Sequence, residues 1–471
     1  MTTAQALPTP EHTREGAFLG HPKGLAYLAF TEAWERFSYY GMSALLVLYM
    51  VDQLLLPGHV EHVVGFVTFR RTIEGVFGPL SAQALASEIF GLYSGFVYFT
   101  PVLGGWIADR WIGQRSAVVL GALSMSGGHI AMAFDQSFLL ALLLLVVGSG
   151  LLKGNISAQV GGLYPASDEA LRTRGFAIFS TAINFGAVVG PLACGFLGER
   201  FGWHFGFAAA ALFMLGGLAT YLSGYRHLPA KVERKMLASA IMTRSDWKVV
   251  AALVAVMGIA VFQSIAYYQL ANVLPVWLQQ HGDMNAGGFL IPIPWYQSID
   301  PLFSILSVPV LFALWRWQDR HGGEPSELGK IGQGAWLCAI ANLVLVVSII
   351  AAGPQPVLWI WPFIYCAIQG IAFLYYWPTL LALVSRAAPA KINATMMGIC
   401  FLTLFLSNTF IGWIGTFYEK LGPLAFWSLH AGIAAAGAVL VLLFGPMLKR
   451  ILEPRETQAL RSSAMTEEVE R

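Results

Sequence analysis

The chain has 471 residues, of which 56% are hydrophobic and only 11% charged, with a formal net charge of +2. Soluble globular proteins carry about 25% charged residues, so this composition excludes a soluble enzyme and predicts a chain immersed in lipid. The weak net charge offers no basic surface for nucleic acid.

A bilayer span needs about 20 mainly apolar residues. In chain order, such runs predict helices over 23–51, 85–108, 115–134, 138–163, 173–198 and 204–224. Residues 1–22 read as a cytoplasmic N-terminal segment. They lack the charged head, short apolar core and cleavage site of a removable signal peptide. Residues 53–84 are too polar and too broken by Gly and Pro for a span, and predict an extracellular loop with short surface helices. A charged stretch, 225–248, follows the sixth run. Six more runs lie at 249–279, 290–317, 333–353, 357–385, 393–418 and 422–448, ahead of a polar cytoplasmic tail at 449–471. The expected fold is therefore an all-α membrane protein with twelve transmembrane helices. An N-terminal six-helix bundle (23–224) and a C-terminal one (249–448) flank a cytoplasmic linker. Paired six-helix halves are a transporter architecture, with substrate bound at the midplane between them. The 49 glycines suit close helix packing. Cys194, Cys338, Cys366 and Cys400 are scattered singly in apolar runs. They show no metal-ligand spacing and no disulfide framework, and read as free core thiols.

Charge orients the array. Of 28 Lys and Arg, only Arg36 and Lys153 fall inside spans away from their ends. Arg70, Arg71, Arg200 and Lys420 fall in the loops of one side, and all the rest lie on the other. That imbalance places both termini in the cytoplasm of a multi-pass cell-membrane protein, the inner membrane in a Gram-negative cell. Trp359 and Trp361 read as an outer interfacial anchor.

Ionisable groups inside a bilayer are expensive and mark function by default. The first span holds Glu32, Glu35 and Arg36, followed by Tyr39 and Tyr40. At 100° per residue these five cover an arc of about 140°. A structural ion pair accounts for one Glu with Arg36 and leaves the second carboxylate without a cation. Two acids sharing one cation make a natural proton site. Lys153 lies roughly 22 Å along its helix, where it either snorkels to the cytoplasmic surface or faces a cavity. Asp300, in Gln297-Ser-Ile-Asp-Pro301, sits about ten residues into the eighth predicted span, either solvated near the outer mouth or functional. His129 and His430 read as hydrogen-bonded core residues. Tyr267, Tyr268, Tyr375, Tyr376 and Trp377 read as cavity lining or as packing.

Gly105-Trp-Ile-Ala-Asp-Arg-Trp-Ile-Gly113-Gln-Arg115 resembles the loop between helices two and three of the major facilitator superfamily. Glu32-Ala-Trp-Glu35-Arg36-Phe-Ser-Tyr39-Tyr40-Gly41 is sharper and resembles the ExxERFxYYG signature of the proton-dependent oligopeptide transporter family. Gly150-Leu-Leu-Lys153-Gly-Asn155, Phe176-Ala-Ile-Phe179 with Ile183-Asn184-Phe-Gly186, Pro378 to Pro389 and Met396-Met-Gly398 extend the resemblance over most of the chain. It implies proton-driven import of di- and tripeptides by alternating access. Arg36, Tyr40, Tyr98, Lys153 and Asn184 match peptide contacts, and Glu32 and Glu35 match residues of proton coupling. It also implies peptides, protons and lipid as partners, with no nucleic acid and no obligate protein. No cofactor is implied beyond the proton gradient that drives transport.

The second half departs from the family pattern. Phe373 stands where the family usually has a tenth-helix glutamate that binds the peptide amine. Tyr268 stands at an often acidic position, Ser180 at a usual tyrosine, Cys400 at a usual tryptophan, and Asp300 at a usual asparagine. The two extra helices of many bacterial members are absent. Asp300 is the candidate to take over the missing charge, in substrate binding and in proton coupling together with Glu32, Glu35 and Arg36. Carriers of nitrate or organic acids, and peptide sensors that do not transport, are the alternative readings. A membrane enzyme would need a nucleophile and base, or metal ligands, converging at one depth, and no such set is present.

Overall fold

The computed structural model describes residues 18–165, 168–229 and 242–452. The N-terminal segment before 18, residues 230–241 of the predicted linker and the tail after 452 lie outside these. The described residues form helices α1 (Lys23–Tyr49), α2 (Phe66–Phe77), α3 (Ala82–Ile107), α4 (Gln114–Ala131), α5 (Phe138–Gly162), α6 (Glu169–Phe201) and α7 (Trp203–Gly224). After the linker come α8 (Arg244–Tyr268), α9 (Val273–His281), α10 (Tyr296–His321), α11 (Glu327–Ala352), α12 (Ile360–Ala387), α13 (Asn393–Gly415) and α14 (Tyr418–Leu452). Among the described residues, nine stretches are helical, long and apolar enough to cross a membrane. At 27 residues α1 is of comparable length but carries Glu32, Glu35 and Arg36.

Local chemistry sets several helix starts. The Ser81 hydroxyl accepts from the Ala84 N–H ahead of α3, and Thr243 and Asp246 form a reciprocal capping box at α8. Ser326 caps α11 in the same way through the Gly329 N–H.

The structure revises three boundaries. The predicted span 249–279 is two helices, broken over 269–272. The break is clamped to α13, because Gln269 Nε2 and Asn272 Nδ2 both donate to the Ile411 carbonyl, at 3.2 and 3.0 Å. The predicted span 290–317 begins as a helix only at Tyr296. Before it, Asn285–Ala286 pairs antiparallel with Phe289–Leu290 around Gly287 and Gly288, both at positive φ, and Pro292 and Pro294 delay the helix. Gly282–Asp283 pairs in parallel with Val357–Leu358, tying the loop after α9 to the loop before α12. Within 53–84, α2 is a regular twelve-residue helix.

In the first part of the chain α1 packs on α6 and α7, α5 on α3 and α4, and α4 on α7. In the second, α11 packs on α12 and α14, α8 on α14, and α10 on α12. Packing between the two parts runs through α3 on α13 and α6 on α10. Glycines permit the closest approaches. A Cβ on Gly104 would overlap the Gly150 carbonyl between α3 and α5, and one on Gly41 would press on Cys194 Sγ and the Gly190 carbonyl between α1 and α6. All four cysteines are buried and unpaired.

Hydrogen bonds join the two parts at the end that carries α2 and the strand pairs, among them one from Gln83 Nε2 to the Gly415 carbonyl (3.4 Å). Gln279 Nε2 donates to Asp52 Oδ2 (2.8 Å), the Ile293 N–H to Glu199 Oε1 (2.8 Å), and Ser81 Oγ to Glu419 Oε2 (2.5 Å). Trp295 Nε1 and Ser298 Oγ donate to the Leu192 and Val188 carbonyls of α6.

Overpacking a close backbone contact costs about 1–3 kcal/mol. Gly41→Val is therefore expected to lower the thermal unfolding midpoint in detergent, followed by tryptophan fluorescence. Gly216→Val, at a position with open space beside it, is expected to leave the midpoint unchanged.

Candidate functional site

The first-helix acids occupy one turn of α1, where i, i+3 and i+4 neighbours meet. Arg36 Nε and Nη2 both lie 2.7 Å from Glu32 Oε1, a two-pronged contact on a single oxygen. Glu35 Oε2 is 3.1 Å from Arg36 Nε, but neither Glu35 oxygen receives a hydrogen bond. Glu32 and Glu35 are both buried. The two carboxylates are therefore not equivalent: Glu32 holds the cation, and Glu35 stands beside it unbonded. Gly186 of α6 abuts the Ala33 carbonyl and Arg36 Cβ, which places Asn184, two residues earlier, at the level of Arg36.

Lys153 does not snorkel. Its Nζ is buried without a hydrogen-bond acceptor, 4.2 Å from the Tyr39 ring centre and 5.4 Å from that of Tyr98. Two aromatic faces are what an ammonium takes when no anion is present. Tyr40 packs edge-on against Tyr39, 5.1 Å between centroids.

Across from these, Asp300 is neither solvated nor deep in its own helix. It is the fifth residue of α10, yet it packs at the level of Gly370, the eleventh of α12, where a Cβ would overlap the Asp300 carbonyl. The span predicted from 290 puts it about six residues deeper in its helix than it lies, because the strand pair and Pro292 and Pro294 delay the helix to Tyr296. Asp300 is nine-tenths buried, and its Oδ2 accepts a 2.7 Å hydrogen bond from Tyr267 Oη; Oδ1 has no partner. The Tyr267 ring in turn stacks on Phe373, 5.6 Å between centroids. Asp300 and the side chain that replaces the usual tenth-helix acid thus meet on the two ends of one tyrosine.

Tyrosines join the two sides. Tyr98, under Lys153, lies 6.4 Å from Tyr268, and Tyr268 lies 5.0 Å from Tyr267. The path from the buried ammonium to the buried carboxyl is aromatic throughout. The α8 break holds Tyr267 and Tyr268 there: both sit at the last turn before it. The sequence left these tyrosines open between packing and lining, and no local pattern tells the two apart. Tyr376 is held by Ser264 (2.5 Å) and Tyr375 packs on Trp315. His430 Nδ1 pairs with the Phe426 carbonyl as expected for a core histidine, whereas both His129 nitrogens lack a partner. The sequence reading passed over one buried acid, Glu88 of α3.

The Major Facilitator Superfamily model matches residues 28–412. The chain belongs to this superfamily. Within it, the likeness is to peptide transporters of the proton-dependent oligopeptide family. A di-/tripeptide transporter of Lactococcus lactis subsp. cremoris is 28% identical, over 92% of this chain and 97% of its own. The uncharacterized transporter YclF of Bacillus subtilis (strain 168) is 29% identical, over 93% and 96%. A crystal structure of the peptide transporter POT in complex with sulfate superposes with a TM-score of 0.80 at 26% identity, covering 93% of this chain and 97% of that one. The chain is thus a multi-pass membrane transporter of this fold.

A hydrogen bond to a charged group contributes about 1.5–3 kcal/mol. Glu32→Gln is therefore expected to lower thermal stability by more than Glu35→Gln, which removes no hydrogen bond. Equal losses in the two variants would contradict the inequivalence of the pair.

Proposed function

We propose that the protein is a proton-coupled symporter that imports di- and tripeptides by alternating access. The observation that carries this reading is the polarity of the buried site. Lys153, a cation without an anion, belongs to α5 beside the Glu32–Arg36–Glu35 group of α1, and Asp300, an acid without a cation, belongs to α10, with tyrosines between. A zwitterion fits that polarity: its carboxylate meets Lys153 and Arg36, and its amine meets the free Oδ1 of Asp300. Tyr40, Tyr98 and Asn184 line the carboxylate side.

In this reading α1 and α3–α7 form one six-helix half, α8–α14 the other, with α9 continuing the span of α8 and residues 225–248 as a cytoplasmic linker. Both termini are cytoplasmic, and the protein resides in the cell membrane. The hydrogen bonds between the halves lie on the extracellular side, so the site is sealed from outside. The energy comes from protons, with no cofactor: about 2.3 kcal/mol per charge per 100 mV and about 1.4 kcal/mol per pH unit. Glu35, beside Arg36 but not bonded to it, is the acid free to exchange a proton without releasing the cation. Asp300 serves as the second, gaining or losing its proton as substrate amine enters or leaves.

Phe373 in place of an acid favours one other reading, a carrier of a simple anion such as nitrate or an organic acid. Uptake of a labelled dipeptide into liposomes under an imposed pH gradient and membrane potential tests the proposal. Competition by unlabelled peptides and not by anions is the expected result. Binding without uptake would instead mark a sensor.

Three variants refine the test. Glu35→Gln is expected to abolish gradient-driven accumulation while exchange at equal pH persists. Lys153→Ala is expected to remove uptake in a protein that still unfolds cooperatively. Asp300→Asn is expected to weaken peptide affinity or flatten the pH profile, and a second change, Phe373→Glu, to restore part of it because that side chain shares the Tyr267 contact. Wild-type affinity and pH profile in Asp300→Asn would remove Asp300 from the site.

A further inference from the structure

Glu88 is fully buried, and neither of its carboxyl oxygens has a hydrogen-bond partner. It lies seven residues beyond Ser81, on the face of α3 that packs on α13. A Cβ on Gly412 would come within 3.2 Å of Glu88 Cα, and one on Gly91, a turn further, would meet the Gly412 backbone at 2.5 Å and the Asn408 carbonyl at 2.7 Å. Backbone therefore packs on backbone where Gly91 meets Gly412, and the buried Glu88 carboxyl beside this contact has no hydrogen-bond partner.

Among the described residues, no cation bonds to Glu88. On α13 the only ionisable side chain is Cys400. The elements packed on α3 carry Lys153 on α5, the Glu32–Arg36–Glu35 group on α1, Asp52 in the turn after α1, Asp109 and Arg110 in the turn after α3, His129 and Arg115 on α4, and Glu419 and Lys420 at the start of α14 with His430 further along it. None of them bonds to Glu88. Lys153 is occupied by Tyr39 and Tyr98, and Glu419 by Ser81.

We infer that Glu88 is a protonation site that governs closure of the extracellular seam between α3 and α13. Packed as here, its carboxylate would be a buried charge with neither partner nor hydrogen bond, which is the arrangement proteins avoid. Separation of α3 from α13 on the outer side admits water and makes the ionised form tolerable. Closing the seam therefore takes one proton from the outside water, and reopening returns it to the same side. The carboxylate gains the proton of a hydronium ion on closing and yields it to water on opening, so this proton is not carried across. External acidity thus favours closure separately from the protons coupled to substrate. This inference rests on the alternating-access reading.

One proton taken up on closing makes the closed-to-open ratio fall by about tenfold for each unit of rising pH above the range where the open seam's carboxylic acid ionises. The experiment uses the full chain in lipid nanodiscs, with spin labels on Phe201→Cys at the end of α6 and Leu290→Cys in the hairpin before α10. Both positions are exposed, and the four native cysteines are buried. Pulsed electron resonance then reads the distance across the outer mouth over a pH series. The wild-type chain is expected to shift from the short to the long distance as pH rises. Glu88→Gln is expected to lose one factor of about ten per pH unit from that dependence and to keep gradient-driven dipeptide accumulation. Glu88→Met, uncharged and of similar length, is expected to behave as Glu88→Gln does and serves if the latter fails to fold. A titration in Glu88→Gln or Glu88→Met that matches wild type, or a wild-type distance that ignores pH, overturns the inference. The distances need no substrate, so failure of the symport reading would show separately, as absent dipeptide uptake with the titration intact.

Discussion

A guanidinium held between two buried carboxylates on one helical turn sets the charge balance of this molecule. Arg36 bonds one oxygen of Glu32 and holds Glu35 only by proximity. The pair is neutral when one acid is protonated and carries an excess negative charge when neither is. In lipid such a change cannot be absorbed by solvent, so it must be met by movement of nearby charge or of the helices themselves. Lys153, stored between two rings without an anion, is the nearby charge that is free to respond. An arriving carboxylate would find it unpaired, and its departure would return it to the aromatic faces.

Asp300 and Phe373 are tied together through one side chain. Phe373 cannot carry charge, yet it contacts the same tyrosine that hydrogen-bonds Asp300. Tyr267 thus presents an apolar face to one residue and a donor to the other. The broken helix makes this possible: Gln269 and Asn272 anchor the break on one α13 carbonyl and fix the turn from which Tyr267 and Tyr268 project.

Much of this was legible in the sequence, and the limits have physical causes. Long apolar runs gave the helices, because hydropathy at membrane depth is a local property. The first-helix acids, Lys153 and Asn184 stood out through local spacing and through their resemblance to a family signature. Asp300 was visible as an acid but misplaced in depth, since Pro292, Pro294 and the Gly287–Gly288 turn delay the helix start. The fixing of Tyr267 and the isolation of Glu88 depend on side chains more than thirty and three hundred residues away, which no local pattern records. Glu88 had one legible sign, a single acid in an otherwise apolar run, and it was masked by the denser cluster in α1.

The glycine contact between α3 and α13 has a kinetic consequence. Where Gly91 meets Gly412, no side chain interlocks with another, so sliding or tilting there needs no rotamer to change. Interdigitated leucines would impose a sequence of small barriers, each requiring neighbours to repack. A smooth backbone contact imposes few. Resistance to parting is then concentrated in the polar bonds at the rim, Ser81 with Glu419 and Gln279 with Asp52, and in Phe405, which packs on Phe96 and Phe99 further along the two helices.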